Sequence, residues 1–256
     1  MRDGRPYQVA SFPKLVLAAA LVLAPGLAWA APVKGRVSGV EKLMNPVWNE
    51  AKEVSSRRFT FREPSPTVRA DHRQLFAYAP KEVCIAAIGT AKPPPTNRPT
   101  VVTIGGGRTT PVTIVVAPGT RLKFENRDPF PHRLYMVGES SFAAADQPAM
   151  ASREWTAQAP GTYEIRDELA PSVRAWVVVE EGVYAFTHPG QNNVFEFSDL
   201  PAGSFTLKAF FSGEEVARSE IQVGSGALDL REPMKLVASE KKPEKPEKPA
   251  AEEEKE

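Results

Sequence analysis

Val115-Val116-Ala117-Pro118-Gly119-Thr120-Arg121-Leu122-Lys123-Phe124-Glu125-Asn126-Arg127-Asp128, followed closely by Pro131-His132, is the stretch on which the fold turns. An apolar run meets a Pro-Gly reversal. Beyond it Arg121, Lys123 and Glu125 alternate with Leu122 and Phe124, the period of a strand with one wet face and one buried face. The stretch therefore predicts two strands joined by a tight turn.

Similar runs recur on either side at Val112 to Val116, Thr162 to Ile165, Ala175 to Val179, Val194 to Phe197 and Phe205 to Phe210. They are separated by turns such as Ala159-Pro160-Gly161, in a chain with 25 Pro and 17 Gly. Short strands punctuated in this way predict an all-β fold built of sandwiches. Helix should be minor, the best candidate being a short one around Phe142 to Met150. The segment Ala91 to Pro99, with Pro93-Pro94-Pro95 at its centre, is too proline-rich for a sheet interior and reads as a linker. Residues 41–82 predict an irregular segment with one strand near Arg58 to Arg62.

The first residues carry Arg2, Arg5 and Lys14, then the apolar run Leu15 to Leu23, then Gly26-Leu27-Ala28-Trp29-Ala30. That order predicts an export signal over residues 1–30, cut between Ala30 and Ala31. The mature chain should then have no transmembrane segment and be periplasmic or secreted. The other end, Glu240 to Glu256, repeats Lys-Pro-Glu and contains no large apolar residue, so it predicts a disordered tail over residues 237–256. With 32 Lys+Arg against 31 Asp+Glu the charge is close to balance, which argues against a nucleic-acid partner. The one Cys, Cys84, sits in Val83-Cys84-Ile85-Ala86 and reads as a buried apolar thiol that can form no internal disulfide.

The opening stretch also resembles the cupredoxin family, especially bacterial plastocyanin-like domains, in which such a turn precedes a strand ending Phe-x-Asn-x-Asp and a nearby Pro-His supplies the first copper ligand. Ala159-Pro160-Gly161-Thr162-Tyr163 is similar to the turn and strand leading into the main ligand loop of that family. The resemblance implies a Greek-key sandwich over residues 99–180 with His132 at the first ligand position. It breaks off in the ligand loop, where the family reads Cys-x-x-His-x-x-Met. Matching Pro171, Ser172 and Trp176-Val177-Val178-Val179 puts Asp167 at the Cys position, Ala170 at the His position and Val173 at the Met position. A blue-copper site needs a thiolate and two imidazoles. The expectation is thus a domain without a cofactor. The alternative is copper at an altered site in which His132 is a vestigial ligand and Asp167, Asp128 or Met136 assists.

Phe195-Glu196-Phe197-Ser198-Asp199-Leu200-Pro201-Ala202-Gly203-Ser204-Phe205-Thr206-Leu207 resembles the carboxypeptidase regulatory-like, transthyretin-like sandwich. Pro201 and Gly203 suit a tight reversal between two half-buried strands. Gly35-Arg36-Val37 and Val83 to Ile88 are similar to the earlier strands of that family. The two resemblances together imply a cupredoxin-like sandwich inserted in or next to a small transthyretin-like sandwich, the latter formed from residues 31–98 and 181–236. This pairing is similar to that of bacterial exported proteins called methylamine-utilisation-like.

Catalytic patterns are missing from the sequence. Gly105-Gly106-Gly107 has no following Lys-Ser/Thr and reads as a hairpin turn, and Ser140 and Ser141 lack an elbow motif. Asp167 and Glu168 are adjacent, so on a strand they face opposite ways. His72 and His188 lie in segments with no metal-ligand spacing and read as surface or turn residues. The expectation is a non-enzymatic binding or scaffold protein of the cell envelope, engaging an envelope protein or a glycan through Phe130, Arg133 and Tyr135. A periplasmic copper-binding or electron-transfer protein built around His132 is the alternative.

Overall fold

Three strands have no polar face, and they set the architecture. In the computed structural model, which describes residues 30–44, 77–170 and 172–238, the strand Val83–Gly89 buries its first five residues without interruption. Thr113–Val116 and Arg174–Val179 are buried throughout. A strand with one wet face alternates, so an unbroken buried run requires cover on both sides.

That cover comes from four stacked sheets. In chain order the strands are β1 (Ala30–Ser38), β2 (Val83–Gly89), β3 (Thr100–Gly105), β4 (Arg108–Thr110), β5 (Thr113–Val116), β6 (Arg121–Asn126), β7 (His132–Met136), β8 (Ala145–Gln147) and β9 (Ser152–Thr156). They continue with β10 (Gly161–Asp167), β11 (Arg174–Val179), β12 (Val183–Thr187), β13 (Val194–Pro201), β14 (Gly203–Phe211), β15 (Glu214–Val223), β16 (Leu228–Asp229) and β17 (Met234–Lys235). One sheet runs β13-β1-β16, with β17 also on β1, and the next runs β12-β2-β14-β15. Between them lies a core that includes Val33, Leu43, Ile85, Phe195, Leu200, Phe205 and Leu207. The remaining sheets, β5-β11-β10-β7-β8 and β4-β3-β6-β9, enclose Val102, Ile114, Leu122, Phe124, Leu134, Phe142 and Ile165.

The two inner sheets meet through a third, smaller apolar layer of Cys84, Ala86, Val115, Val178, Val183 and Phe210. Val83, Ile85 and Ala87 of β2 face one core while Cys84 and Ala86 face this junction, which accounts for the unbroken run. Burial pushes the Cys84 thiol well above its ordinary pKa, against a smaller downward pull from the Val115 backbone. Polar contacts pin the same junction. His188 Nε2 lies 2.8 Å from the Thr113 carbonyl, the Ser212 N–H donates to Thr113 Oγ1 at 3.2 Å, and the Val112 N–H donates to the Lys81 carbonyl at 2.7 Å. Gly213, at φ +82°, turns the tip between β14 and β15 so tightly against Thr162 and Trp176 that a Cβ there would lie 2.6 Å from Thr162 Cγ2. Only glycine fits that backbone and that space.

Residues 100–179 leave after β2 and return at β12, which pairs with β2. β1, at the head of the described chain, pairs with β13, 158 or more positions further on, from Arg36 opposite Val194 to Ala30 opposite Pro201. The fold is nearly all β, as the alternation predicts. The strands anticipated around Val112, Thr162, Ala175, Val194 and Phe205 are β5, β10, β11, β13 and β14. No helix among the described residues is long and apolar enough to cross a membrane.

Three local expectations are corrected. In place of a helix around Phe142 to Met150, Ser140–Phe142 form a single 3-10 turn and β8 pairs with β7, Gln147 opposite His132. Gln147 decides this, because its side-chain amide donates to the carbonyls of Phe124 and Ala151 and ties the segment to β6 and the turn before β9. The Leu200 to Gly203 turn is a corner, not a hairpin: β13 pairs with β1 and β14 with β2 and β15, so the chain passes there from one sheet to the next. His188 is likewise no plain turn residue, since it is half-buried against Thr113. The export signal before Ala30, the strand near Arg58 to Arg62, His72, Pro171 and the tail from residue 239 lie outside the described residues.

Replacing Phe210 by Ala should cost about 3–5 kcal/mol, because it opens a cavity in the thin junction layer. Urea unfolding that stays within about 1 kcal/mol of the unaltered protein would contradict a junction held by packing. Burial holds the His188 pKa below its ordinary value, against a smaller upward pull from the Thr113 carbonyl. The stabilisation from its neutral ring is therefore complete above about pH 6.5 and is lost as the pH falls towards the folded value. Urea midpoints measured across that window should decline, and His188→Gln should flatten the decline.

Candidate functional site

The motif Phe124-Glu125-Asn126-Arg127-Asp128 acquires a separate task for each of its buried residues. Phe124 enters the core between the sheets. Asn126, 1% exposed, donates through Nδ2 to the carbonyls of Phe130 and Pro148 at 2.9 Å each, while its Oδ1 accepts from the Asp128 N–H at 2.9 Å. The loop between β6 and β7 is thereby drawn shut. Asp128 reaches across to the turn between β3 and β4, accepting the Gly106 N–H at 2.6 Å and the Gly107 N–H at 2.9 Å. Both glycines have positive φ, and this turns their N–H groups towards one carboxylate.

His132 opens β7 and is fully buried. Its Nδ1 lies 2.8 Å from Asp167 Oδ2, and its Nε2 lies 3.0 Å from Asp128 Oδ2. Asp167, at the end of β10, also accepts the N–H groups of Arg133, Leu169 and Ala170 at 3.1, 2.6 and 2.8 Å. A single imidazole therefore joins the three loops at this end of the sandwich. Each ring nitrogen is thereby taken up by a carboxylate contact.

The structure thus brings together His132, Asp167 and Asp128, and it leaves Met136 apart. Met136 is at the far end of β7, buried among the core residues of the sandwich. His132 itself is tied from both sides. Its partners are two carboxylates, one of them 35 positions away in sequence. Ala170 and Val173, at the positions the cupredoxin resemblance gives to the second imidazole and the thioether, are buried apolar side chains without donor atoms. This residue set does not fit copper: it offers one imidazole with both nitrogens engaged, hard oxygen donors already bonded to backbone N–H groups, and no thiolate. Burial pushes the Asp128 carboxyl up, but the Gly107 N–H, the His132 ring and the Gly106 N–H outweigh it and hold the group below the usual carboxylate value.

Two large apolar side chains are exposed next to this buried knot. Phe130 is 43% exposed, with its ring centroid 5.1 Å from that of His132, and Leu169, whose N–H is held by Asp167, is 56% exposed. Arg133 projects beside them and pairs with Glu168 at 3.2 Å and Asp146 at 3.5 Å. Tyr135 lies further along β7, half-buried and opposite Arg166. Leu169 is the residue that sequence reasoning missed, and an apolar side chain in a polar loop, Asp167-Glu168-Leu169, was its one signal. Asp167 and Glu168 do diverge, one buried and one exposed.

No family model and no curated protein matches this chain. Among solved structures it is similar to a reduced proline-to-phenylalanine variant of amicyanin, with 24% identity over 37% of this chain and 99% of that one, at a TM-score of 0.31. A Cu(I) methionine-to-alanine variant of amicyanin gives 23% identity, 39% and 100% coverage, and 0.31. The copper-containing nitrite reductase of Thermus scotoductus SA-01 gives 18% identity, 35% and 25% coverage, and 0.29.

Asp167→Ala leaves a buried ring facing an unfilled partner and should cost about 3–5 kcal/mol in urea unfolding. Asp128 stabilises the fold fully above the unfolded carboxylate value of about 3.9, and that contribution is lost as the pH falls towards its lower folded value. Asp128→Asn should remove this acid limb of the stability curve.

Proposed function

We propose that this chain is an exported, non-enzymatic binding or scaffold protein of the cell envelope. In this reading a copper-free cupredoxin-like sandwich is set into a carboxypeptidase regulatory-like, transthyretin-like one. The observation that carries it is the state of His132: both ring nitrogens face carboxylates, so the position of a ligand has become a structural tie. A domain that keeps a fold while its chemistry is gone keeps a surface, and function has to be sought there. The exposed Phe130 and Leu169 over a rigid, hydrogen-bonded floor support a docking role, because apolar and aromatic anchors on a preorganised base lose little entropy on binding. Arg133, held between Glu168 and Asp146, supplies an oriented charge at the edge of that patch. An envelope protein suits such a patch better than a glycan does, since Phe130 and Leu169 offer apolar contact and few hydrogen bonds.

The test has two arms. The chain from Ala31 to Glu256, free of affinity-tag histidines, is titrated with Cu(II) while stoichiometry and the visible spectrum are followed, and it should retain no copper. Tight binding of one equivalent would favour the alternative, a copper or electron-transfer protein with an altered site around His132. In the second arm, cross-linking in the producing cell should recover an envelope protein that the Phe130→Ser, Leu169→Ser variant loses while its unfolding midpoint is unchanged. Recovery unaffected by that variant would move the docking surface elsewhere.

A further inference from the structure

A second recess lies towards the opposite end of β10. Tyr163 and Asp167 share that strand four residues apart, roughly 13 Å at ~3.3 Å per residue. The recess is a cleft of about 480 Å³ lined by Glu139, Ser141, Trp155, Gln158, Tyr163 and the strand around Glu154. That volume falls within the ~300–1,000 Å³ typical of small-molecule sites.

Its base is aromatic. Trp155 and Tyr163 meet edge to face with centroids 5.2 Å apart. The Tyr163 hydroxyl donates to the Ala159 carbonyl at 2.8 Å, and a Cβ on Gly161 would sit 3.6 Å from the ring, so the phenol is fixed against the turn before β10. Its walls are acidic. Glu139, after β7, has no ion pair among the described residues, and Glu154 has only Arg121, 3.9 Å away with both side chains about half exposed. Neither lysine nor arginine lines the cleft.

With an aromatic pair and two exposed carboxylates among its lining residues, the cleft is complementary to positive charge. We propose that this cleft binds a compact organic cation, an ammonium or quaternary ammonium group. An anion would meet two carboxylates. A pyranose needs a broad exposed ring to stack on, and Trp155 is only 9% exposed, whereas a compact cation touches the aromatic pair through a small footprint. Ser141, Thr156 and Gln158 then serve the hydroxyl or carbonyl groups of the rest of the ligand. This site does not depend on the docking role proposed for the His132 end.

The probe is choline, added to the full exported chain while the indole N–H signal of Trp155 is followed by NMR. Choline should shift that signal saturably. Its neutral carbon isostere, in which a tert-butyl group replaces the trimethylammonium, should bind at least about tenfold more weakly. The double variant Glu139→Gln, Glu154→Gln alters exposed positions only and should keep its unfolding midpoint while binding choline roughly tenfold or more weakly. An unmoved indole signal, equal affinity for the isostere, an unaffected double variant, or a response to cellobiose in place of choline would each overturn the proposal.

Discussion

Everything in this structure depends on strands that are buried on both faces. β2, β5 and β11 place small or β-branched side chains, Cys84, Ala86, Val115 and Val178, into a layer only one residue deep. Such a layer accepts close approach of two sheets because none of these side chains is long. Phe210 is the exception, and its bulk fills the space that the small residues leave. The consequence is mechanical. Thr113 at the start of β5 is held from the neighbouring sandwich by His188 and Ser212, so the two sandwiches share one rigid seam.

The knot at His132 solves a different problem. An open end of a sandwich gathers loops whose N–H groups need acceptors, and those of Gly106, Gly107, Arg133, Leu169 and Ala170 all find one in Asp128 or Asp167. Two buried carboxylates repel unless something positive or proton-bearing lies between them. The imidazole lies between them, with one ring nitrogen against each. One ring and two carboxylates therefore hold three loops together. Phe130 and Leu169 stand exposed beside the loops tied in this way.

The two ends of β7 and β10 differ in kind. At one end acidic groups are buried, satisfied by backbone donors and closed to solvent. At the other, Glu139 and Glu154 are exposed on the lining of the cleft, Glu154 paired with Arg121. Carboxylates of the first sort stabilise a fold, and those of the second are available to a ligand.

The sequence by itself determined the local grammar. Alternation in Arg121 to Glu125, the Pro-Gly turns and the unbroken apolar run at Val83 define strands because a two-residue period and a φ-restricted turn are properties of neighbouring residues. Phe124, Asn126, Asp128 and His132 were legible as a constellation for the same reason, all lying within nine positions of one another. Only the tertiary structure decided what they do. Asp167 meets His132 from 35 positions away, and no local pattern states that a carboxylate will fill both the distance and the hydrogen-bonding geometry of the other side. The same holds for Gln147, whose contacts with β6 turned an expected helix into a strand, and for Leu200 to Gly203, whose turn chemistry is that of a hairpin although its two strands belong to different sheets. Propensity acts between neighbours, while pairing and burial are settled by whatever the rest of the chain brings alongside.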